Sequence, residues 1–428
     1  MPSARAYRPA RAPACCGSPT SIRSCCPFSA WRPTARRGTG PRRRRIRCPA
    51  CSCPPHLERG AVRRHAAGDY RRWRRKIRAP HGPDQRPRRG PEQYGERTVV
   101  SALRILAADI GGTNARFAEI VIDGLSQVRV SEPVIFPTWS EAIVSFDAVL
   151  EHYTQVRPPG SPALEDFDAV AIAIAGAVSG RRGTLPNIAW DVDLDATRPL
   201  RNAFLLNDFF AQAHAYLDPA VFGRLRLVRP GSGMEPGMGS GLDLGSIAIV
   251  GAGTGLGHAA LKSIRGRRVA IGSESGHCTF AFHGDEEQKI EAAMLARSGK
   301  PWLSGDDVVT GSGAALLHAA LTGNALSPAE ALARKDSESA TCAWFARFYG
   351  RACRNYCLAM YPVEALVITG GIAAKNPHVI ESPAFVAEFN DGRAYRQMLE
   401  RVPIYLNEDQ SLGLRGAAIH AWMELTAP

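Results

Sequence analysis

The chain has 428 residues, 45% of them hydrophobic, with a formal net charge of +13 and 11 cysteines, which is length and apolar content enough for two ordinary domains. Its charge is uneven: residues 1–98 hold 25 of the 53 Lys and Arg but 5 of the 40 Asp and Glu, so residues 99–428 carry a net −7. That excludes a uniformly basic nucleic-acid-binding body, and no run reaches the roughly 18–20 apolar residues of a membrane span or the pattern of a signal peptide.

The first 98 residues also hold 14 of the 31 prolines and 7 of the 11 cysteines. Runs such as Pro41–Arg47 and Arg71–Arg78 repel themselves and show no helical or alternating apolar period, so residues 1–99 are expected to be a disordered Arg/Pro-rich extension. Four explanations stay open: a nucleic-acid tail with Tyr70 and Trp73 as stacking rings, an organelle transit peptide, a zinc site at Cys48, Cys51, Cys53 and His56 that lacks a second half at finger spacing, and a mis-called start with true translation near Val99 or Val100. The last is preferred. Cys278, Cys342, Cys353 and Cys357 show no paired ligand spacing and fit reduced cytoplasmic thiols.

From Leu103 the pattern becomes that of an α/β chain, with short apolar runs, glycine turns and amphipathic stretches. "LRILAADIGG" and "ARFAEIVI" read as two strands joined by a tight turn. Asp168–Val178 is almost wholly apolar and reads as a strand buried on both faces. Ala203–Tyr216 starts as a strand and continues as a helix, with Asn207 and Asp208 at the junction, where such residues also serve as ordinary helix caps. Met234–Leu242 reads as a Pro/Gly/Ser loop. Ser246–Leu261 repeats strand, glycine turn, strand, and Ala365–Asn376 is a strand ending in paired glycines. No tandem repeat of 20–50 residues is evident.

Three glycine turns at strand ends suggest a phosphorylated ligand held among backbone N–H groups. They are not the familiar nucleotide motifs. In the Gly251–Gly257 stretch Leu256 occupies the third glycine position of a dinucleotide fingerprint, and no Gly-Lys-Ser/Thr follows as in a Walker loop. Both turns lead back into strands, which predicts two β-hairpins gripping phosphates from two sides.

In order, "DIGGTNARFA", "LLNDFFAQAHA", "GAGTGLGHAAL", "SESGHCTF", "VVTGSG" and "ITGGIAAKN" resemble the bacterial glucokinase family of the actin-like sugar kinases, from about Leu103 to Trp422. The resemblance implies a two-domain actin-like (ribonuclease H-like) α/β sugar-kinase fold with an interdomain cleft. Residues 100–217 plus 408–428 would form the small domain and 218–407 the large one. It implies ATP and Mg2+ as cofactors and transfer of the γ-phosphoryl group to the 6-hydroxyl of glucose in cytoplasmic glycolysis.

By that resemblance Asp208 is the general base, and Asn207, Glu274 and His277 hold sugar hydroxyls. Asp306 would stand at the sugar's anomeric end, where the family has a glutamate one methylene longer; the deficit is about 1.5 Å. Asp109 would hold magnesium through water, although an Asp at a strand end is also a common turn residue. Gly111, Gly112, Thr113 and Asn114 would face the β- and γ-phosphates from one hairpin and Gly253, Thr254 and Gly255 from the other, with Gly370 and Gly371 flanking the adenosine. "PNIAW" (Pro186–Trp190) falls at the mouth of the sugar site. One cysteine follows His277, so no structural zinc is expected. The partners are a sugar and ATP, with no membrane or nucleic acid, and a homodimer is left open. A kinase for another hexose or amino sugar is the alternative that Asp306 favours, and a non-catalytic sugar-sensing regulator is a second.

Overall fold

The structure is a computed structural model that describes residues 102–427 except 141–142, 187, 235–244 and 334–338. The arginine-rich extension, Asn187 of "PNIAW" and the Met234–Leu242 loop after Met234 lie outside the described residues.

The chain begins with a hairpin of β1 (Leu103–Ile110) and β2 (Asn114–Ile122), extended by β3 (Val128–Val130) and β4 (Val134–Pro137). Helix α1 (Phe146–Val156) starts at Ser145, whose hydroxyl accepts from the Ala148 N–H and so satisfies one of the N–H groups that a helix start leaves open. β5 (Ala169–Ile174) is buried at every position, as expected for a strand with parallel neighbours on both sides. A small sheet of β6 (Ala177–Ser179), β7 (Arg182–Thr184) and β8 (Val192–Asp193) follows. β9 (Ala203–Asn207) runs directly into α2 (Asp208–Ala215) and α3 (Pro219–Phe222).

The second half opens with β10 (Arg226–Arg229), then a hairpin of β11 (Ile247–Ala252) and β12 (Leu256–Ile264), then β13 (Arg267–Ser273). Helices α4 (Gly284–Ser298), α5 (Gly305–Val308), α6 (Gly311–Thr322) and α7 (Ala340–Ala359) come next, followed by β14 (Ala365–Thr369), helix α8 (Pro383–Asn390), β15 (Ile404–Leu406) and helix α9 (Leu412–Thr426).

The two large sheets share one plan. In the first the order is β3-β2-β1-β5-β9 and in the second β13-β12-β11-β14-β15, with β10 added at the edge. Each is an antiparallel hairpin joined to two parallel strands. The fold is therefore a duplicated α/β unit, as expected for the actin-like architecture that the motif order implied. Helices α2 and α9 lie between the sheets: Ala211, Leu414 and Ala418 share one buried cluster with Ile105 of β1 and Ile249 of β11. Phe117, Phe136 and Tyr153 fill the outer face of the first sheet and the apolar face of α7 packs on the second. Among the described residues no helix is long and apolar enough to cross a membrane.

The outer helices are pinned by buried charge. Arg351 on α7 is fully buried and pairs with Glu287 of α4 at 2.5 and 2.7 Å and with Glu388 of α8 at 2.8 Å. Burial pushes the Glu388 carboxyl up, but Arg351, Arg347 and Arg354 outweigh it and hold it at about 2. Removing one member of such a cluster strands the others in apolar surroundings at a cost of about 3–5 kcal/mol. Arg351→Met is therefore expected to lower the unfolding free energy by that much. Glu388 titrates below its ordinary 4.5, so its stabilisation is complete above that value and is lost as pH falls towards about 2. Wild type should lose stability across this window, and the variant should show a shallower acid dependence in parallel urea titrations.

Candidate active site

Both hairpin turns and the ends of β5, β9 and β14 lie at the carboxyl ends of parallel strands, where open α/β sheets take their ligands. In the first turn the Gly111 N–H is spent on the Asn114 carbonyl, and Thr138 clamps the turn from β4's end, its N–H donating to the Thr113 carbonyl and its hydroxyl to the Gly111 carbonyl. In the second turn Gly253 donates to the Gly255 carbonyl and accepts from the Gly311 N–H at the start of α6. The N–H groups of Gly112, Thr113, Thr254 and Gly255 have no backbone partner among the described residues, so each turn offers two donors to an oxyanion.

Asn207 ends β9 and caps α2: its Oδ1 accepts from the N–H groups of Phe209 and Phe210, and its Nδ2 donates to the Gly176 carbonyl. Capping thus falls to Asn207, which keeps one Nδ2 hydrogen for another partner. Asp208, the first helical residue, accepts from the Phe209 N–H with Oδ1. Burial raises the Asp208 carboxyl to about 7, the charges of Asp109 and Glu274 add to the rise, and the Phe209 N–H opposes it.

Asp109, the penultimate residue of β1, lies 3.7 Å from the Arg116 guanidinium. Burial lifts its carboxyl pKa and Arg116 pulls it back. A side chain at Gly413, in the first turn of α9, would put its Cβ 2.9 Å from the Asp109 carboxylate, which would then have to shift. Two crowded carboxylates with raised pKa values fit a cation as an added counter-charge. Among the described residues no group of three or more His, Cys, Asp or Glu is placed to hold a metal ion; an ion at Asp109 would take its remaining ligands from water and phosphate oxygens, as magnesium commonly does.

Glu274 caps and His277 ends a single turn of 3-10 helix, the two side chains 3.7 Å apart and largely exposed, with the charge of Glu274 felt at Asp208. This pair can offer acceptors and a donor to vicinal hydroxyls. Asp306 on α5 accepts from the Leu256 N–H at 2.7 Å with one carboxylate oxygen. It thus braces the second turn, while neighbouring Asp307 closes a capping box with Ser304 and pairs with Lys300. Gly370 lies against the backbone of Ala252 at a φ of 89°, and Gly371 starts a short helix.

Sequence reasoning missed Phe209, Thr138 and Gly413. The alternating glycines at 251–257 have two separate jobs: Gly253 and Gly255 make the turn, while a Cβ at Gly251 or Gly257 would come within 2.7 or 1.9 Å of the Phe209 ring. The period-two spacing was itself the signal, because residues at i and i+6 in a tight hairpin pair across it.

The glucokinase family profile matches residues 106–424. Among named relatives, a glucokinase of Pectobacterium atrosepticum is 28% identical over 332 residues, 74% of this chain and 96% of the relative, and one of Caulobacter vibrioides is 29% identical over 328 residues, 73% and 94%. Among solved structures, a glucokinase from an Antarctic psychrotroph superposes with a TM-score of 0.58 at 25% identity, covering 74% of this chain and 98% of that one. A Balamuthia mandrillaris glucokinase in complex with glucose superposes with a TM-score of 0.60 at 18% identity, covering 76% and 95%.

The glycine slot makes a stability prediction. Gly257→Ala overpacks the Phe209 ring and is expected to cost about 1–3 kcal/mol. Adding Phe209→Leu to Gly257→Ala should cost clearly less than the sum of the two single changes in urea denaturation; strict additivity would show that the ring and the glycine do not meet.

Proposed function

The chain belongs to the glucokinase family and phosphorylates glucose with ATP, and we propose that the acceptor is the 6-hydroxyl and that Asp208 is the base that takes its proton. The observation that carries this reading is the carboxyl of Asp208, raised to about 7 at a strand–helix junction keyed to the second glycine turn. A base of that strength is substantially ionised at neutral pH and still holds a proton well. As the 6-oxygen bonds to the γ-phosphorus and the bond to ADP breaks, the hydroxyl proton passes to Asp208. The products are glucose 6-phosphate and ADP.

The other groups orient. The free Nδ2 hydrogen of Asn207, the Glu274 carboxylate and the His277 imidazole would hold sugar hydroxyls and fix the 6-oxygen against Asp208. The N–H pairs at Gly112–Thr113 and Thr254–Gly255 would face the β- and γ-phosphates, with Asn114 and the backbone of Gly111 and Gly253 shaping the turns and Gly370 and Gly371 beside the adenosine. Magnesium, held at Asp109 through water, would supply charge neutralisation on the phosphates. The two sheets with their helices suggest domains of 100–217 plus 408–428 and of 218–407, whose closure would exclude water. The same reading places the enzyme in cytoplasmic glycolysis without structural zinc, and a homodimer is the assembly to check by light scattering.

Asp306 favours a second substrate reading, because one of its oxygens is committed to the Leu256 N–H and its reach is shorter than glutamate's. Another hexose or an amino sugar is then the competing acceptor.

Two measurements test these assignments. Asp208→Asn should cut kcat by about 10²–10⁴-fold while sugar binding persists in calorimetry, and near-normal turnover would refute the base. In an ADP-release assay over a panel of hexoses and amino sugars, wild type should favour glucose and Asp306→Glu should sharpen that preference; a higher kcat/KM for another sugar supports the competing acceptor.

A further inference from the structure

Away from the glycine turns, β3, the loop after it, the α3–β10 link and the start of α9 enclose an open cleft of about 630 Å3. Its lining includes Arg129 of β3, Arg224 of the α3–β10 link, Arg415 of α9, and Asp409 and Ser411 of the β15–α9 link. None of these belongs to the sugar or phosphate groups described above.

Arg415 is the telling residue. It is 94% buried, one terminal nitrogen pairs with Asp218 at 2.5 Å and reaches the Val128 carbonyl at 3.4 Å, and its Nε has no partner. A buried guanidinium N–H without an acceptor carries a desolvation penalty. Arg129 and Arg224 are exposed and form no ion pair with a carboxylate among the described residues. Against the three arginines stand Asp218, already engaged by Arg415, and Asp409, whose Oδ1 is turned into its own loop by the Ser411 N–H and hydroxyl.

We propose that this cleft binds a small phosphate monoester, its phosphate among Arg129, Arg224 and Arg415 and its organic part towards Asp409. Three guanidiniums arriving from three separate elements suit a tetrahedral dianion, which takes donors from several directions, whereas one arginine fork satisfies a planar carboxylate. The volume lies in the range of small-molecule sites and exceeds the need of a bare ion. The location gives binding a consequence. The α3–β10 and β15–α9 links are the two places where the chain passes between the sheets, and both border the cleft, so a ligand bridging them restrains movement of one sheet against the other.

The test titrates the full-length protein, with the sugar and nucleotide sites saturated by glucose and the magnesium complex of a non-hydrolysable ATP analogue. Glycerol 3-phosphate and inorganic phosphate are the probes. The expected result is one calorimetric site per chain that prefers the ester, weakened about tenfold or more in Arg129→Gln/Arg224→Gln, with kcat and both KM values unchanged when no probe is added. The apparent KM for glucose should shift with glycerol 3-phosphate in wild type and not in the variant. No binding, binding that the double variant leaves intact, or binding abolished by the ATP analogue overturns the site. Equal affinity for the two probes overturns the ester assignment.

Discussion

The aromatic ring of Phe209 lying in the slot between Gly251 and Gly257 is the contact on which the site's geometry depends. Phe209 follows Asp208 directly, so whatever seats the ring also seats the carboxylate. The slot belongs to the second glycine hairpin. The Asp208 carboxylate and the second glycine turn are therefore registered by one steric fit with little slack, since interiors pack as densely as organic crystals. Asp306 adds a polar brace to the same hairpin through Leu256, and Gly311 and Gly370 close on it from two further elements. The turn is held on several sides before any ligand arrives, as preorganised electrostatic catalysis requires.

Much of this fold was legible because its signals are local. The buried strand Ala169–Ile174, the two hairpins returning into strands and the strand–helix junction at Asn207–Asp208 all follow from apolar periodicity and turn chemistry within about ten residues. The duplication was not legible. The two sheets repeat one topology, yet no sequence repeat of ordinary length exists, because a sheet plan constrains strand pairing and burial but hardly constrains which apolar residue supplies them.

The site residues divide along the same line. Those that the chain offers from their own motifs, Asp109, Asp208, Glu274 and His277, were proposed from the sequence as candidates. Those that act across the fold were not: Thr138 clamps a turn 25 residues upstream, and Gly413 places a helix start against Asp109 from roughly 300 residues away. Asn207 shows a third situation, in which one residue is a candidate for both capping and binding. The geometry assigns the amide oxygen to the cap and leaves an N–H for a ligand, so one residue can meet both demands.

Charge follows a consistent logic through the molecule. In the α4–α7–α8 cluster, carboxylates and guanidiniums are matched in place, so Glu388 is held ionised far below its ordinary range. At the site, Asp109 and Asp208 are left under-compensated, with Arg116 beside Asp109 offsetting its burial only in part, and both carboxyls shift upward. The first arrangement spends its electrostatics on holding helices together. The second leaves a field to be completed by what binds, and that difference, more than the glycine motifs, separates a reactive cleft from a well-packed junction.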